Sequence, residues 1–211
     1  MRERLVEVAA RLVADDGREA VSARRLASEV GASTQVLYTH FDGVEQLLAE
    51  VWREGFRRFG AALDEPARTA DPVADWMAQG WGYRRFALRN PHLYRVMFGE
   101  HMLTGRPTDD DPAIEVASGT FLSLLTRIER CRDAGRWVLD DLFTAGEVVW
   151  AASHGHASIE LSGYFGAVRR DPAAAFEECL LRLALGFGDG PEPARRSLAT
   201  ARRRARHADR N

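Results

Sequence analysis

The chain has 211 residues, of which 45% are hydrophobic and 28% are charged, and its formal net charge at pH 7 is −2. These values are ordinary for a soluble globular protein with one large or two modest domains, and the charge selects no polyanionic partner by itself. All 29 basic residues are arginine, which excludes a Walker-type phosphate lysine, a Schiff-base lysine and a lysine general base.

The cysteines and the apolar runs indicate the cellular compartment in which we expect the protein. Cys131 and Cys179 stand far apart, which fits a reducing cytoplasm and excludes a zinc knuckle or a disulfide framework. The first residues alternate charged and apolar side chains at helical spacing, so they form no secretory signal, and no apolar run is long enough to span a bilayer. We therefore expect a cytoplasmic protein without a membrane partner.

The first predicted helix covers residues 2–16 and supports the elements that follow it. Its apolar residues recur at helical spacing, and Gly17 ends it after two aspartates. The apolar stripe consists of Leu5, Val8, Ala9, Leu12 and Val13.

A helix-turn-helix is predicted directly after this support. Ser22 can cap a helix over residues 23–30, because its hydroxyl accepts hydrogen bonds from the amides of the first turn. Gly31 can close that helix in the left-handed conformation. Ser33 then caps a second, short helix. So short a link between two capping residues is typical of the helix-turn-helix.

The apolar spacing of these two helices decides which face is exposed. Two i,i+4 pairs of apolar residues must share a core, and they are Leu26 with Val30 and Leu37 with Phe41. The opposite face of the second helix carries Thr34, Gln35 and Thr39. Gln can form two hydrogen bonds with adenine and Thr can contact a base edge or a thymine methyl, whereas the flanking Tyr38 and His40 are placed for phosphates. The predicted DNA-binding residues are Ser33, Thr34, Gln35, Tyr38, Thr39, His40 and Arg24.

The third helix has Asp42 as its predicted N-cap, and Glu45 would complete a capping box. Its helical spacing continues to Asp64, so it connects the small domain to the next one. Residues 1–48 hold six arginines and eight acidic residues, but half of the acids fall on the supporting helix. We therefore expect the DNA-contacting face to be neutral or positive.

Several short runs in this region match a known family. They are Leu26-Ala27, Val30-Gly31-Ala32-Ser33, Leu37-Tyr38-Thr39-His40-Phe41 and Leu47-Leu48. Together they resemble the DNA-binding signature of the tetracycline-repressor (TetR) family of one-component transcription regulators. The resemblance implies a DNA operator as a partner. The family usually carries a phosphate-contacting lysine at the start of the third helix, and Val44 occupies that position here. Helix-terminal amides can still bind a phosphate there.

Four dipeptides mark helix starts in the second half of the chain. Each joins a capping side chain to a proline at the first helical position, where the missing N–H costs nothing. The dipeptides are Asp71-Pro72, Asn90-Pro91, Asp111-Pro112 and Asp171-Pro172. A further helix is predicted over residues 142–165. Because no segment alternates with period two, we predict an all-α fold.

Parts of this second half also resemble a subset of the same family. They are residues 90–99 (NPHLYRVMFG), Trp150-x-x-x-His154-Gly155, Ile159-Glu160-Leu161 and Leu185-Gly186. They look like the C-terminal domain that is named for its Trp-His-Gly motif. The resemblance implies an inducer-binding, dimerising helical domain, in which helices near 141–165 and 172–187 meet a twofold copy as a four-helix bundle. A closed dimer would place two reading helices about 34 Å apart, which is one turn of DNA.

Aromatic and methionine residues are concentrated between residues 76 and 150. Each of them can be an ordinary core residue, and together they can line a largely apolar cavity to which His92, His101 and His154 add polarity. Trp150 and His154 are i,i+4 and can line one wall. The predicted ligand-binding residues are Trp76, Trp81, Phe86, His92, Tyr94, Met97, Phe98, Phe121, Trp150 and His154, with Tyr83 and Met102 in the same aromatic group.

We predict no metal, no cofactor and no enzymatic activity. His154 and His156 diverge on a helix and cannot chelate one ion together. His156 with Glu160 could do so, but one such pair is common by chance. The sequence also lacks the Gly-x-Ser-x-Gly elbow of hydrolases and a Gly-x-Gly-x-x-Gly loop after a strand.

Together these features predict an all-α homodimeric repressor that leaves a partly palindromic double-stranded DNA operator when a small, largely apolar effector binds. The predicted domains are an N-terminal three-helix helix-turn-helix domain (1–48) and a C-terminal helical ligand-binding and dimerisation domain (49–188). The Arg-rich end, 189–211, is expected to be frayed or disordered, with an extra DNA anchor as the alternative. Two other classes stay open: a helical small-molecule carrier or protein-interaction module without specific DNA binding, and an enzyme with a buried site.

Overall fold

A computed structural model describes residues 1–99 and 112–208 of the chain. Within these residues the secondary structure is helical and contains no strand, which confirms the predicted all-α fold. A 3-10 turn covers Arg18–Ala20. The α-helices are α1 (Arg2–Asp16), α2 (Ala23–Val30), α3 (Gln35–His40), α4 (Val44–Asp64), α5 (Pro72–Arg89), α6 (Pro91–Phe98), α7 (Pro112–Asp133), α8 (Leu142–Leu161), α9 (Tyr164–Ala167), α10 (Pro172–Gly186) and α11 (Pro191–Ala208).

The four helices that the dipeptides predict, α5, α6, α7 and α10, each begin at the proline. Two of the predicted caps form. Asp71 accepts a hydrogen bond from the amide of Ala74 (3.0 Å), and Asp171 accepts one from the amide of Ala173 (2.9 Å). The prediction was wrong for Asn90, whose side chain, within the described part of the chain, caps no amide of α6. The proline-defined start therefore does not depend on the side-chain cap.

The helix predicted over residues 142–165 is shorter than expected. Helix α8 ends at Leu161, because the Ser162 hydroxyl donates to the carbonyl of Ile159 (2.7 Å) and Gly163 adopts a left-handed conformation with φ of 78°. Such a glycine ends helices at little steric cost. The short helix α9 follows it.

The packing divides the chain into two units. Unit 1 comprises Met1–Phe59 and Arg89–Ser118, and unit 2 comprises Gly60–Leu88 and Gly119–Asn211. This division falls inside α4, not at residue 48 where the predicted domain boundary lies. The difference arises because α6 packs on α1 in unit 1, although it lies in the region predicted to bind ligand. The predicted boundaries of the functional domains stay predictions.

Unit 1 is held by one apolar core. The predicted stripe of α1 is buried at Leu5, Ala9, Leu12 and Val13, and Val8 packs partly buried against it. Residues of α2, α3, α4 and α6 complete this core, and they include Leu26, Val30, Leu37, Phe41, Leu47, Leu48, Leu93 and Val96. The core thus places the short helix α3 on a rigid support.

Unit 2 is built around two tryptophans and a close helix contact. Trp76 of α5 and Trp137, which follows α7, meet edge to face with ring centroids 4.9 Å apart. Helix α5 lies close to the end of α4 at Gly82, where a Cβ would run into the carbonyl oxygen of Ala62. Glycine is required there because any side chain would push the two helices apart.

The Arg-rich end of the chain is an ordered helix, and the prediction of a frayed or disordered tail was wrong. Helix α11 spans Pro191–Ala208 and buries a seam of small residues against unit 2. The seam consists of Ala194, Ser197, Ala201 and Ala205, which lie on one face of the helix. The arginines lie mostly on the other faces, so a basic composition and a packed helix coexist.

A buried carboxylate fixes α11 to the rest of unit 2. Asp75 of α5 is fully buried and accepts hydrogen bonds from Arg204 of α11 (2.8 Å), from Arg130 of α7 (2.9 Å) and from Thr69. Burial alone would raise the pKa of Asp75, but the hydrogen bonds from Thr69, Arg204 and Arg130 lower it below its usual value. The carboxylate therefore stays charged and joins three helices.

Candidate functional site

Helix α2 has the predicted beginning and end. The Ser22 hydroxyl accepts a hydrogen bond from the amide of Arg25 (3.3 Å), and Gly31 is left-handed with φ of 69° and ψ of 39°. The left-handed residue turns the chain so that α3 follows after a short link. The helix-turn-helix expected from the caps is therefore present.

The exposed face of α3 is the one that the apolar spacing predicts. Leu37 and Phe41 are buried in the core of unit 1, whereas Thr34, Gln35 and Thr39 are exposed. The Thr39 hydroxyl donates to the carbonyl of Gln35 (3.0 Å), so this donor is used within the helix. Thr39 can still present its methyl group or accept a hydrogen bond. The face is thus polar, uncharged and open to solvent.

The flanking residues differ in exposure. Tyr38 is 57% exposed, Ser33 and Arg24 are also exposed, and His40 is half-buried. A protruding tyrosine ring leaves its hydroxyl free to reach an oxygen outside the protein. All seven predicted DNA-binding residues are therefore reachable from solvent, and their contacts with DNA stay predictions.

The predicted role of Ser33 as the N-cap of α3 was wrong. The helix begins at Gln35, and Thr34 before it already has helical backbone angles (φ −58°, ψ −23°). The carbonyl of Ser33 accepts a hydrogen bond from the amide of Val36 (3.1 Å). A backbone turn therefore satisfies the first amides of α3.

The predicted capping box at the start of α4 was also wrong in its partner. The backbone N–H of Asp42 donates to Oε1 of Gln46 (2.7 Å), and the Gln46 amide donates back to the Asp42 carboxylate (3.3 Å). Glu45 forms an ion pair with Arg18 instead. The reason is register: α4 begins at Val44, so the third helical residue is Gln46, one residue later than predicted.

Most acidic residues of the helix-turn-helix region, residues 1–48, form ion pairs with arginines. Six of the eight acids in residues 1–48 form ion pairs with arginines: Glu3 and Glu7 with Arg58, Asp15 with Arg95, Asp16 with Arg25, Glu29 with Arg11, and Glu45 with Arg18. Arg4 and Arg24 are exposed and form no ion pair with any described residue. Most acidic side chains of this region are therefore engaged by arginines, while Arg4 and Arg24 remain available to phosphates.

Val44 is half-buried at the first turn of α4 and packs against the core of unit 1. It offers no charge where the family carries lysine. The first-turn amides of α4 remain the donors that can meet a phosphate at this position.

Four of the predicted ligand-binding residues lie on α6 in unit 1: His92, Tyr94, Met97 and Phe98. Tyr94 and Met97 are buried core residues, and the Phe98 ring meets Phe56 edge to face at 5.6 Å. His92 lies 3.6 Å from the Asp15 carboxylate. These side chains pack α6 onto its own unit.

Trp76, Trp81 and Phe86 lie on α5 in unit 2. Trp76 and Phe86 are buried. Trp81 is half-buried, its ring meets Phe176 of α10 edge to face at 5.6 Å, and the guanidinium of Arg84 lies over it at 5.4 Å. Packing between helices is their evident role.

The remaining predicted ligand-binding residues form a partly open aromatic cluster in unit 2. Trp150 is 41% exposed, and its ring centroid lies 6.3 Å from that of Phe121 and 6.3 Å from that of His154. The Tyr83 hydroxyl lies 3.4 Å from Nδ1 of His154. Burial lowers the pKa of His154, so the imidazole is neutral near pH 7. We name Tyr83, Phe121, Trp150 and His154 the aromatic cluster.

A largely buried ion pair, which the sequence did not reveal, joins α5 to α8. Arg84 of α5 donates two hydrogen bonds to Glu160 of α8, at 2.8 and 2.5 Å. His156 lies 3.5 Å from the same carboxylate and packs between Phe165 and Phe176. The carboxylate is therefore already engaged by a guanidinium. The i,i+4 spacing of His156 and Glu160 was a signal, but it could not reveal a partner 76 residues away.

Helix α8 exposes an apolar face distinct from the aromatic cluster. Val148, Ala152, Gly155 and Ile159 recur at i, i+4, i+7 and i+11 and so lie on one side of the helix. Val148 and Ile159 are each 45% exposed, and beyond its own stretch of α8 no described atom lies within 4 Å of a Cβ built on Gly155. Gly146 and Ala157, two other small residues of α8, are buried within their own unit.

The remaining expectations from the sequence concern two further residues, a metal site and a membrane span. His101 and Met102 fall outside the residues that the structure describes. In the described ranges, no group of three His, Cys, Asp or Glu side chains is arranged to hold a metal ion. The described helices include none with the length and apolarity needed to cross a membrane.

Comparison with known proteins agrees with this geometry. A family model described as bacterial regulatory proteins of the tetR family matches residues 5–51, and a model described as a tetracyclin repressor-like C-terminal domain matches residues 76–183. The first match covers the helix-turn-helix, and the second covers about half of the chain, including the aromatic cluster.

The individual relatives are described as regulators. An uncharacterized HTH-type transcriptional regulator of Mycobacterium tuberculosis, Rv0681, is 26% identical over 190 residues, which cover 88% of this chain and 81% of that protein. A tetR-family regulatory protein from Rhodococcus RHA1 has a similar fold, with a TM-score of 0.76, 18% identity, and coverage of 90% of this chain and 97% of that one. PfmR from Thermus thermophilus gives a TM-score of 0.70, 21% identity, and coverage of 90% and 97%. The chain therefore belongs to the tetR family of bacterial regulatory proteins, whose members are DNA-binding transcriptional regulators.

Proposed function

We propose that the protein is a homodimeric, cytoplasmic repressor that binds a partly palindromic operator and is released from it by a small, largely apolar effector. The observation that carries this proposal is the exposed polar face of α3, supported from behind by the buried Leu37 and Phe41. Thr34 and Gln35 are placed to contact base edges, and Tyr38 and Arg24 to contact phosphates.

We propose that the exposed apolar face of α8 forms the dimer interface. This helix is apolar on nearly every side, and such a helix is normally covered on every side. In unit 2 its face formed by Val148, Ala152, Gly155 and Ile159 is uncovered by described residues, and its small side chains let a second helix approach closely. A twofold copy would give the protein two reading helices for two successive major grooves.

The aromatic cluster is the proposed effector region. It combines exposed aromatic surface at Trp150 with two polar groups, the Tyr83 hydroxyl and the His154 ring, which is the usual composition of a ligand site. Effector binding would favour a dimer conformer whose two recognition helices no longer match successive grooves. A coupling of about 1 to 3 kcal/mol would weaken operator binding about 5- to 150-fold.

The DNA part of the proposal is tested by fluorescence anisotropy with the duplex that flanks the protein's own gene, against a scrambled duplex. We expect Tyr38→Ala to weaken binding and Tyr164→Ala to leave it unchanged, because Tyr164 is 58% exposed but lies on α9. Equal binding of both duplexes at physiological salt would contradict the proposal and favour a carrier or interaction module.

The dimer is tested by sedimentation of Gly155→Leu. A Cβ at this position has no described neighbour within 4 Å beyond its own stretch of α8, so we expect the subunit to fold. A leucine there would block a close helix partner. We expect monomers. Gly119→Leu is the matched control, because a Cβ at Gly119 likewise meets no described atom. A dimeric Gly155→Leu protein would place the interface elsewhere.

The effector region is tested by native mass spectrometry for a co-purified small molecule, with Trp150→Ala beside the native protein. We expect the variant to lose the ligand and to keep its affinity for the operator. Retention of the ligand by the variant would move the effector site away from the aromatic cluster.

A further inference from the structure

Unit 2 contains a cleft whose lining shares no residue with the exposed face of α3 or with the aromatic cluster. Its volume is about 440 Å³, which lies within the range of small-molecule sites. Three segments line it: Glu65–Ala67 directly after α4, Ala78 and Arg85 of α5, and the last two turns of α11 from Arg203. We name it the α11 cleft.

Positive groups dominate the charged lining of the α11 cleft. The charged side chains of the lining are three guanidinium groups (Arg85, Arg203 and Arg204) and one carboxylate, Glu65. Glu65 is paired with Arg85, and the buried Asp75 compensates Arg204 from behind. The guanidinium of Arg203 donates to the hydroxyl of Thr200, a neutral group (3.0 Å). An excess of positive charge is therefore left inside the cleft.

The rest of the lining is short and apolar. Pro66, Ala67, Ala78, Ala205 and Ala208 contribute no charge and fill little space. Apolar walls beside a few placed charged groups are the usual makeup of a small-molecule site. The lining therefore suits an anionic head with a short apolar body more than it suits a bare inorganic ion.

The charged wall is fixed in place by the fold. Arg204 donates to the Asp75 carboxylate and to the carbonyl of Ala67, and the small-residue seam holds α11 against unit 2. On the other side, the buried Arg127 donates to the carbonyl of Pro66 (3.1 Å). Because these contacts order the cleft before anything binds, a ligand pays little to organise it.

We propose that the α11 cleft binds a small organic anion, with a carboxylate or phosphate head held by Arg203 and Arg85 and a short apolar body against the alanines. Guanidinium groups suit this role because their planar N–H donors match carboxylate and phosphate oxygens in pairs. The bound anion would contact the segment that directly follows α4. This site is separate from the proposed effector region and does not depend on it.

The test is isothermal titration calorimetry of the full-length protein with sodium hexanoate, hexan-1-ol and inorganic phosphate. We expect hexanoate to bind one site per chain with a Kd below about 1 mM, and hexan-1-ol to give no measurable binding. Arg203→Gln should weaken hexanoate binding about tenfold. The Arg203 side chain is exposed, so the variant should keep the native melting temperature.

Two controls locate the site. Arg206→Gln removes the same charge from an exposed position of α11 that does not line the cleft, and it should bind hexanoate like the native protein. His154→Ala alters the aromatic cluster and should also bind normally.

Four results would overturn the proposal. They are no hexanoate binding by the native protein, equal binding by Arg203→Gln, an equal loss in Arg206→Gln, and a loss in His154→Ala, which would place the anion in the aromatic cluster. Binding of phosphate without hexanoate would overturn the assignment to an organic anion.

Discussion

Unit 1 and unit 2 use polar side chains in opposite ways. In unit 1 the polar residues of α3 are exposed, and the ion pairs around them join mostly exposed side chains such as Asp16 and Arg25. In unit 2 the carboxylates of Asp75 and Asp189 are buried and bonded to arginines that are distant in the sequence. Surface groups are available for a partner, whereas buried charges hold helices together.

The consequence is that stability and recognition should separate between the units. A change on the exposed face of α3 (Thr34, Gln35 and Thr39) should alter DNA binding and leave the free energy of unfolding almost unchanged, since exposed substitutions usually have small effects. A change in a buried ion pair of unit 2 should have the reverse effect, because the partner charges are left without compensation.

The largest expected effect is at Asp75. Asp75→Asn removes the charge that Arg130 and Arg204 share, and we expect a loss of about 3 kcal/mol in the free energy of unfolding. Urea unfolding measures it. The control is Asp133→Asn, which breaks an exposed ion pair with Arg132 and should leave the free energy of unfolding almost unchanged. Equal losses in the two variants would remove the distinction between buried and exposed charges.

The stability that Asp75 contributes should also depend on pH. Its pKa is lowered in the folded protein, so the stability it contributes is present above its ordinary value of 3.8 and is lost as the pH falls through the folded pKa. The difference in the free energy of unfolding between the native protein and Asp75→Asn should therefore be constant near neutral pH and shrink below pH 3.8. Urea unfolding of both proteins at a series of pH values measures it. A difference that stays constant through this range would show that the Asp75 charge does not stabilise the fold.

The next largest effect compares two glutamines of unit 1. Gln35→Ala should weaken operator binding about 5- to 150-fold, which corresponds to the 1 to 3 kcal/mol of a bidentate base contact. Its melting temperature should not change, because Gln35 is exposed. Gln46→Ala should instead lower stability by about 1 kcal/mol, since Gln46 bonds to the amide of Asp42. Anisotropy and thermal unfolding of both variants would show whether recognition and capping separate in this way.

A smaller effect is expected at Arg24, which is exposed on α2. Arg24→Gln should reduce the slope of log K against log salt concentration by about one and weaken all DNA sequences alike. Glu19→Gln, an exposed change nearby that also alters one charge, should leave this slope the same or slightly steeper. A loss of sequence preference in Arg24→Gln would assign this arginine to bases and not to phosphates.

The smallest expected effect is a pH dependence in unit 2. Burial lowers the pKa of His156 below its ordinary value of 6.5, although Glu160 opposes the shift. The unfolded chain therefore takes up the proton first, and stability should fall as the pH drops below 6.5 towards the folded pKa. His156→Gln should flatten this dependence in urea unfolding at a series of pH values. Parallel curves would show that His156 does not contribute.

Local signals explain what the sequence could predict. The proline starts of α5, α6, α7 and α10, the Ser22 cap and the exposed face of α3 depend on residues within a few positions of one another. Such patterns act through backbone geometry and helix periodicity, which neighbouring residues determine. The register of α4 shows the limit, because a shift of one residue moved the capping partner from Glu45 to Gln46.

Contacts between distant residues explain what could not be predicted. Asp75 and Arg204 are 129 residues apart, and their spacing in sequence carries no signal. Helix α11 was misjudged because its buried face is made of alanine and serine, which look no different from the residues of a disordered basic tail. Likewise, α6 carries aromatic residues at helical spacing, which predicts a buried face but not the unit that covers it.

The packing of α11 has a consequence for the gene as well as for the protein. A premature stop codon after Gly190 would spare every residue of the reading helices and of the aromatic cluster. It would nevertheless expose the part of unit 2 against which the small-residue seam of α11 packs. It would also remove Arg204, one of the two arginines bonded to Asp75. We expect the shortened product to be recognised and degraded by cellular proteases, so that loss of these final codons would resemble a null allele.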